Sequence, residues 1–245
     1  MRRFDETPFE GVASGLEYPE GPVACADGSV LLVEAKGARV TRVLPDGTKT
    51  TVARPGGSPN GAAFGPDGKL YVCNSGGFDW IPVGALWITG THPASYASGL
   101  IQRVDFATGA VQWSWSEAEV WRVATSPAND MLAAAGQGDH LWIGPTRTGR
   151  LVSRPAGAGG VRSLRFSADG ARLAIGGDKG RIVIQHAQGG QPELTIETHA
   201  GAVLCLAFSP DGKTLASGGE DGEVHLWDPQ AGCERLRLPV GGAIQ

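Results

Sequence analysis

Charge, aromatic surface and long apolar runs are all scarce in this chain. Charged residues make up 19% of 245 residues, the formal net charge is −4 and no basic run stands out, so there is no electrostatic footprint for nucleic acid or an anionic membrane. No apolar stretch reaches the length of a membrane span. Arg2 and Arg3 run into Phe4-Asp5-Glu6-Thr7-Pro8 rather than an apolar core, which is not the pattern of a secretory signal. Four cysteines, Cys25, Cys73, Cys205 and Cys233, have neither the density of a disulfide framework nor paired metal-ligand spacing. The expectation is a cytoplasmic protein with partly buried thiols. Glycine is the abundant residue: 38 glycines and 16 prolines punctuate short apolar runs, which points to many tight turns and few long helices.

Those runs repeat. An apolar segment, an Asp-Gly turn and a second apolar segment occur at 23–33, 62–72, 161–175 and 203–216, with a weaker copy at 123–134. Asp27 to Asp67 spans 40 residues, Asp130 to Asp169 spans 39 and Asp169 to Asp211 spans 42. That is the period of β-propeller blades. The first copy reads as strands near 20–26, 29–35, 38–44 and 48–54, and the second as 60–66, 69–74, 99–106 and 110–115 with an insertion at 75–98; the others cover about 119–155, 160–196 and 202–238. The fold class is therefore all-β, a propeller of four-stranded antiparallel blades with about five recognisable copies. Closure is left open by the pattern. Residues 9–14 are suited to add an outer strand to the last blade, yet 233–238 already fills that role, and Gly242-Ala243-Ile244-Gln245 reads as the start of another inner strand. A five-bladed ring, an irregular ring and an open arc completed by self-association all fit.

Two families are suggested by the motifs. Tyr18-Pro19-Glu20-Gly21-Pro22, the run Pro59-Asn60-Gly61-Ala62-Ala63-Phe64-Gly65-Pro66-Asp67-Gly68, and Ile101-Gln102-Arg103-Val104-Asp105 give residues 1–115 a resemblance to gluconolactonase or regucalcin-like propellers. Residues 116–245 are instead similar to WD-repeat propellers, through Ala202 to Gly212 and the closing Val224-His225-Leu226-Trp227-Asp228. The second resemblance implies a structural network of His199, Ser217, Asp221 and Trp227 within one blade. The preceding copy lacks the full set, with Gly176, Asp178 and Gln185 matched to the Ser, Asp and Trp places. The first resemblance implies a divalent cation in the central channel and a catalytic carboxylate beside it.

Glu20 and Asn60 each lie seven residues before their turn aspartate, so they occupy one level of the channel. Carried forward, that level holds Trp121, Arg162 and Leu204, none of which supplies an anionic oxygen. A hard cation such as calcium takes about six to eight oxygens, so this half-site would hold one only weakly and lacks the base that activates water. An alternative role for Glu20 is a solvated channel carboxylate paired with Arg162. Asn74, with Ser75, Gly76 and Gly77, is a further candidate for the cavity rim, and Trp80 and Trp87 in the insertion are candidates for a cap over the channel. Trp113 and Trp115, alternating on an edge strand, are expected to pack between blades. Three functions follow: a chimeric propeller scaffold, engineered or recombined, without inherited catalysis; a WD-type scaffold binding a protein or peptide at its rim; and a metal-dependent lactone hydrolase.

Overall fold

The protein is described here by a computed structural model covering residues 11–84, 86–94, 98–116, 120–136 and 138–240. Its 22 strands form five four-stranded sheets and one hairpin, and no helix occurs among the described residues. Blade one is β1 (Pro19–Ala24), β2 (Val30–Glu34), β3 (Arg39–Val43) and β4 (Lys49–Ala53). Blade two is β5 (Pro59–Phe64), β6 (Leu70–Asn74), β9 (Leu100–Val104) and β10 (Val111–Trp115), interrupted by the hairpin β7 (Trp80–Val83) and β8 (Leu86–Thr89). Blade three is β11 (Val120–Thr125), β12 (Leu132–Gly136), β13 (His140–Gly144) and β14 (Val152–Pro155). Blade four is β15 (Val161–Phe166), β16 (Arg172–Gly177), β17 (Arg181–His186) and β18 (Pro192–Glu197), and blade five is β19 (Val203–Phe208), β20 (Leu215–Gly219), β21 (Glu223–Trp227) and β22 (Glu234–Pro239). All pairings are antiparallel. The repeat pattern and its turns therefore placed the strands of the first two blades and the spans of the other three.

The blades are held by four apolar cores, one at each joint. Leu31, Val33 and Val40 of blade one meet Leu70, Val72 and Val104 of blade two. Tyr71, Cys73 and Ile101 then meet Val120, Leu132 and Trp142, and Leu141 and Ile143 meet Leu164, Leu173 and Ile175. Ala174, Ile182, Ile184 and Ile196 of blade four meet Val203, Leu206, Leu215 and Trp227 of blade five. Each sheet thus presents one face forward and one backward, as stacked repeats must if neither face can be covered within a single blade. Trp113 and Trp115 belong to the joint between blades two and three, where Trp115 lies 5.6 Å from Trp142, centroid to centroid.

The inner strands pack in the order β1, β5, β11, β15, β19, and no comparable packing joins β19 to β1 among the described residues. The described residues form an open arc of five blades. Residues 11–14 do not extend blade five, whose outer strand is β22; they lie along blade one, where the Ser14 carbonyl accepts from Lys49. A Cβ on Gly232 would fall 2.7 Å from Leu194 of the preceding blade's outer strand, and one on Gly47 would fall 2.5 Å from the Val12 carbonyl. Residue 12 therefore stands where a preceding blade's outer strand would. The expected inner strand at 242–245 lies outside the described residues.

Candidate functional site

A cavity of about 650 Å³ runs between the inner strands, lined by β1, β5, β11, β15 and β19. Its wall is shaped by an irregularity that recurs in every blade. The ladder slips between Pro59 and Gly61, Val120 and Arg122, Val161 and Ser163, and Val203 and Cys205, with a similar slip between Glu20 and Val23 in blade one. Asn60, Trp121, Arg162 and Leu204 are thus the unpaired bulge residues of their strands, and a bulge re-aims the side chains around it.

Arg162 and Leu204 line the cavity; Trp121 does not, but its neighbour Arg122 does. The Trp121 carbonyl is occupied by the Cys73 thiol at 3.4 Å and by Arg122 at 3.0 Å. Burial, offset by the Arg122 guanidinium, raises the Glu20 carboxyl above its ordinary range. Glu20 forms no ion pair with Arg162 among the described residues, and the cation whose charge acts on it is Arg122. Cys73 is fully buried, and that burial pushes its thiol up to about 12, which makes it a poor nucleophile.

Asn60 Oδ1 is a buried acceptor without a hydrogen-bond partner among the described residues. A cation would need several more oxygens than Glu20 and Asn60 offer, and the Arg122 charge, which acts on Glu20, would repel it. The residues present do not fit a resident divalent ion. The glycine that follows each of the two has a packing reason instead: Gly21, at φ +55°, would put a Cβ 2.7 Å from the Gly61 Cα, and Gly61 would put one 2.9 Å from the Cys73 sulfur. Those backbones approach so closely that no side chain fits between them.

Asn74 is not at the channel rim. It is 0% exposed, accepts the Ser58 amide at 2.9 Å, and donates to the Gly56 carbonyl at 2.7 Å and to Gln102 at 3.1 Å. This side chain pins the loop that enters an inner strand, and the other blades solve the same problem in their own ways. Glu34 accepts the Glu17 amide in blade one, Asp139 accepts the amides of Gly157, Ala158 and Gly159, and Asp221 accepts that of Ala200. Burial would raise Glu34, but Arg39, Thr41 and the Glu17 amide outweigh it and hold the carboxyl at about 2.

In blade five the same clamp extends into a chain of four side chains. Trp227 Nε1 donates to Ser217 Oγ at 3.0 Å, Ser217 lies 2.9 Å from His199 Nε2, and His199 Nδ1 lies 3.0 Å from Asp221. With the carboxylate on Nδ1, that nitrogen carries the proton and Nε2 accepts from the serine, so each donor has one acceptor. Burial lowers the His199 pKa more than Asp221 raises it, which favours the neutral ring. His199, Asp221 and His225 lie close enough to share an ion, but both ring nitrogens of His199 are already committed and His225 lies between Glu223 and Glu234 at 3.2 and 2.8 Å. In blade four the ladder places Ile175 and Lys179 opposite the Ser217 and Asp221 positions, one residue away from the Gly176 and Asp178 matched by sequence; Gln185 does occupy the Trp227 position.

The insertion hairpin leans on blade one. The Trp80 ring packs against Tyr18 at a tilt of 58°, with centroids 5.1 Å apart, and Lys36 sits 3.7 Å above the Trp87 ring. None of the residues lining the cavity comes from this hairpin, so the two tryptophans do not cap the channel.

Comparison with known proteins agrees with this architecture. The family "WD domain, G-beta repeat" matches residues 190–228, and "Anaphase-promoting complex subunit 4 WD40 domain" matches residues 123–208. A gluconolactonase of Zymomonas mobilis is 33% identical over 84 residues, covering 29% of this chain and 24% of the relative. The chain therefore spans about a quarter of the length of that curated relative. A chain in the crystal structure of a mitotic checkpoint complex superimposes with a TM-score of 0.74 at 18% identity, covering 99% of this chain and 71% of that one. At that identity the likeness concerns the fold alone, a propeller of four-stranded blades, and the WD-repeat matches lie within residues 123–228.

Proposed function

We propose that this chain is a protein-interaction scaffold of WD-repeat type. The observation that carries the reading is the forward face of blade five. Its residues Ala216, Val224, Leu226, Leu236 and Leu238 hold the ladder positions of Ala174, Ile182, Ile184, Leu194 and Ile196 in blade four. The blade four residues are covered by blade five, whereas Leu236 is 45% exposed and its four companions are only partly covered. An aliphatic sheet face without a charged side chain is a surface suited to pack against protein. The partner it fits is a second copy packed through the same face, because the patch is chemically self-complementary. Sedimentation velocity should show association that grows with concentration and disappears in Leu236→Asp. Sedimentation as a monomer up to high micromolar concentration would sink this reading.

Lactonase chemistry and a bound calcium ion are not part of the proposal, since the matching positions of the later blades are Trp121, Arg162 and Leu204, which offer no carboxylate, and the Arg122 charge acts on Glu20. Lactone hydrolysis with added calcium, manganese, zinc or magnesium should stay at background. Turnover lost in Glu20→Gln and on chelation would restore the enzymatic alternative. The change of motif near residue 115 is read as recombination of blade-coding segments, natural or engineered, and its support is the shared geometry of all five sheets. Four free thiols support the cytoplasmic placement.

A further inference from the structure

Among the described residues, many arginines of this acidic chain are neutralised locally. Arg39 pairs with Glu34, Arg42 with Asp27, Arg103 with Asp67, Arg172 with Glu193, Arg181 with Glu197 and Arg237 with Glu223. The three that line the central cavity are different. Arg122, Arg162 and Arg165 have no ion-pair partner among the described residues, and all three side chains are exposed to the channel solvent. Arg122 donates to the carbonyls of Arg162 and Trp121 at 2.8 and 3.0 Å, and Arg165 donates to that of Leu206 at 3.3 Å. These bonds fix two of the guanidinium stems on β11 and β15 and leave most N–H groups of the three uncommitted, since each guanidinium carries five. The side chain of Arg162 makes no hydrogen bond to protein among the described residues.

We propose that the channel is a binding site for a compact polyanion, a small molecule carrying two or more phosphate or carboxylate groups. Guanidinium forks match both groups in bidentate geometry. The cavity volume of about 650 Å³ is that of a small-molecule site, and low-dielectric walls lined by one sign of charge concentrate the opposite ion. The arginines project from paired inner strands, so the site is preorganised. Glu20 opposes it: this carboxylate, on the same inner strand β1 that contributes Pro22, Val23 and Ala24 to the lining, interacts with the Arg122 charge and offsets part of the positive potential an anion would meet. The site goes beyond the scaffold reading and does not depend on the face of blade five.

Isothermal titration at low ionic strength with inorganic pyrophosphate and with citrate tests the assignment, and the tighter of the two names the preferred group. Arg162→Gln and Arg165→Gln should each weaken binding roughly tenfold, the size of one lost charge-assisted hydrogen bond. Glu20→Gln should tighten it, a gain that a merely structural role for these residues would not produce. Arg181→Gln, which removes a cation paired with Glu197 outside the cavity, should leave affinity unchanged. Equal affinity in the wild type and Arg162→Gln, or an equal loss in Arg181→Gln, would overturn the proposal. So would a hexaglutamate peptide binding where neither small anion does, because that result would assign the arginines to a protein partner.

Discussion

Blade four and blade five present the same ladder of aliphatic side chains on their forward faces, yet only one of those faces is closed. Ile182 and Ile184 are 0% exposed beneath Leu215 and Trp227, while Val224 and Leu226, at the same positions one blade later, are only partly covered. The strands, turns and pairing are alike. What differs is that a further sheet packs on blade four, and none packs on blade five among the described residues. Burial in this molecule is therefore a property of the joint and not of the strand, as expected where each repeat is stabilised chiefly by its neighbours.

The comparison can be broken by substitutions at matched positions. Ile184→Ala should cost about 2–5 kcal/mol, because it opens a cavity in a packed joint. The loss would be read as a lowered urea midpoint with little change in slope. A second probe concerns the backward face of blade five: Trp227→Phe deprives Ser217 of its donor inside the chain of four side chains and should cost about 1–3 kcal/mol. If Ser217→Ala added its full cost on top of that, the two residues would not be coupled.

The acid response gives a third test of the same joint. The folded-state pKa of His199 is lowered by burial despite Asp221, so the unfolded chain takes up this proton first. Its contribution is complete above the ordinary histidine value near pH 6.5 and declines as pH falls below it. The Asp221 carboxyl is also depressed, burial being outweighed by the Ala200 amide, His199 and the Glu223 amide, and its contribution lasts until pH falls below the ordinary aspartate value. Urea midpoints should thus fall between pH 7.5 and 5, and His199→Asn should flatten that slope. An unchanged slope in the variant would assign the proton elsewhere. The smallest effect is expected at Leu226→Ala, under about 1 kcal/mol for a partly covered side chain in dilute protein. A loss as large as that of Ile184→Ala would show that the face of blade five is covered after all.

Much of this arrangement was legible in the residues. The strand read near 29–35 is Val30–Glu34, and that read near 69–74 is Leu70–Asn74, because Asp-Gly turns and alternating apolar residues act over a few positions. The meeting of His199, Ser217, Asp221 and Trp227 was suggested by the motif and has definite geometry. The sequence match places the blade four counterparts of Ser217 and Asp221 one position away from where the ladders put them, because only the pairing shows that Ile175 holds the position equivalent to Ser217. Asn74 looked like a rim residue since Asn before Ser and Gly suits a loop. Its partners Gly56, Ser58 and Gln102 are remote in sequence, and they alone show a loop clamp.

The chain by itself determined the blade period, the turns, the apolar faces and the loss of carboxylates from later copies of the Glu20 level. These follow from local backbone preference and from side-chain alternation, which need no knowledge of the partner. Tertiary structure decided which cation acts on Glu20, which arginines stand unpaired in the channel, and which sheet face lacks a cover. A bulge moves the choice from Arg162 to Arg122 by shifting one residue out of the ladder, and cover depends on whether a neighbour packs there. Cover is set by contacts between strands of different blades, about forty residues or more apart along the chain, whereas each bulge lies in the ladder between two strands of one blade.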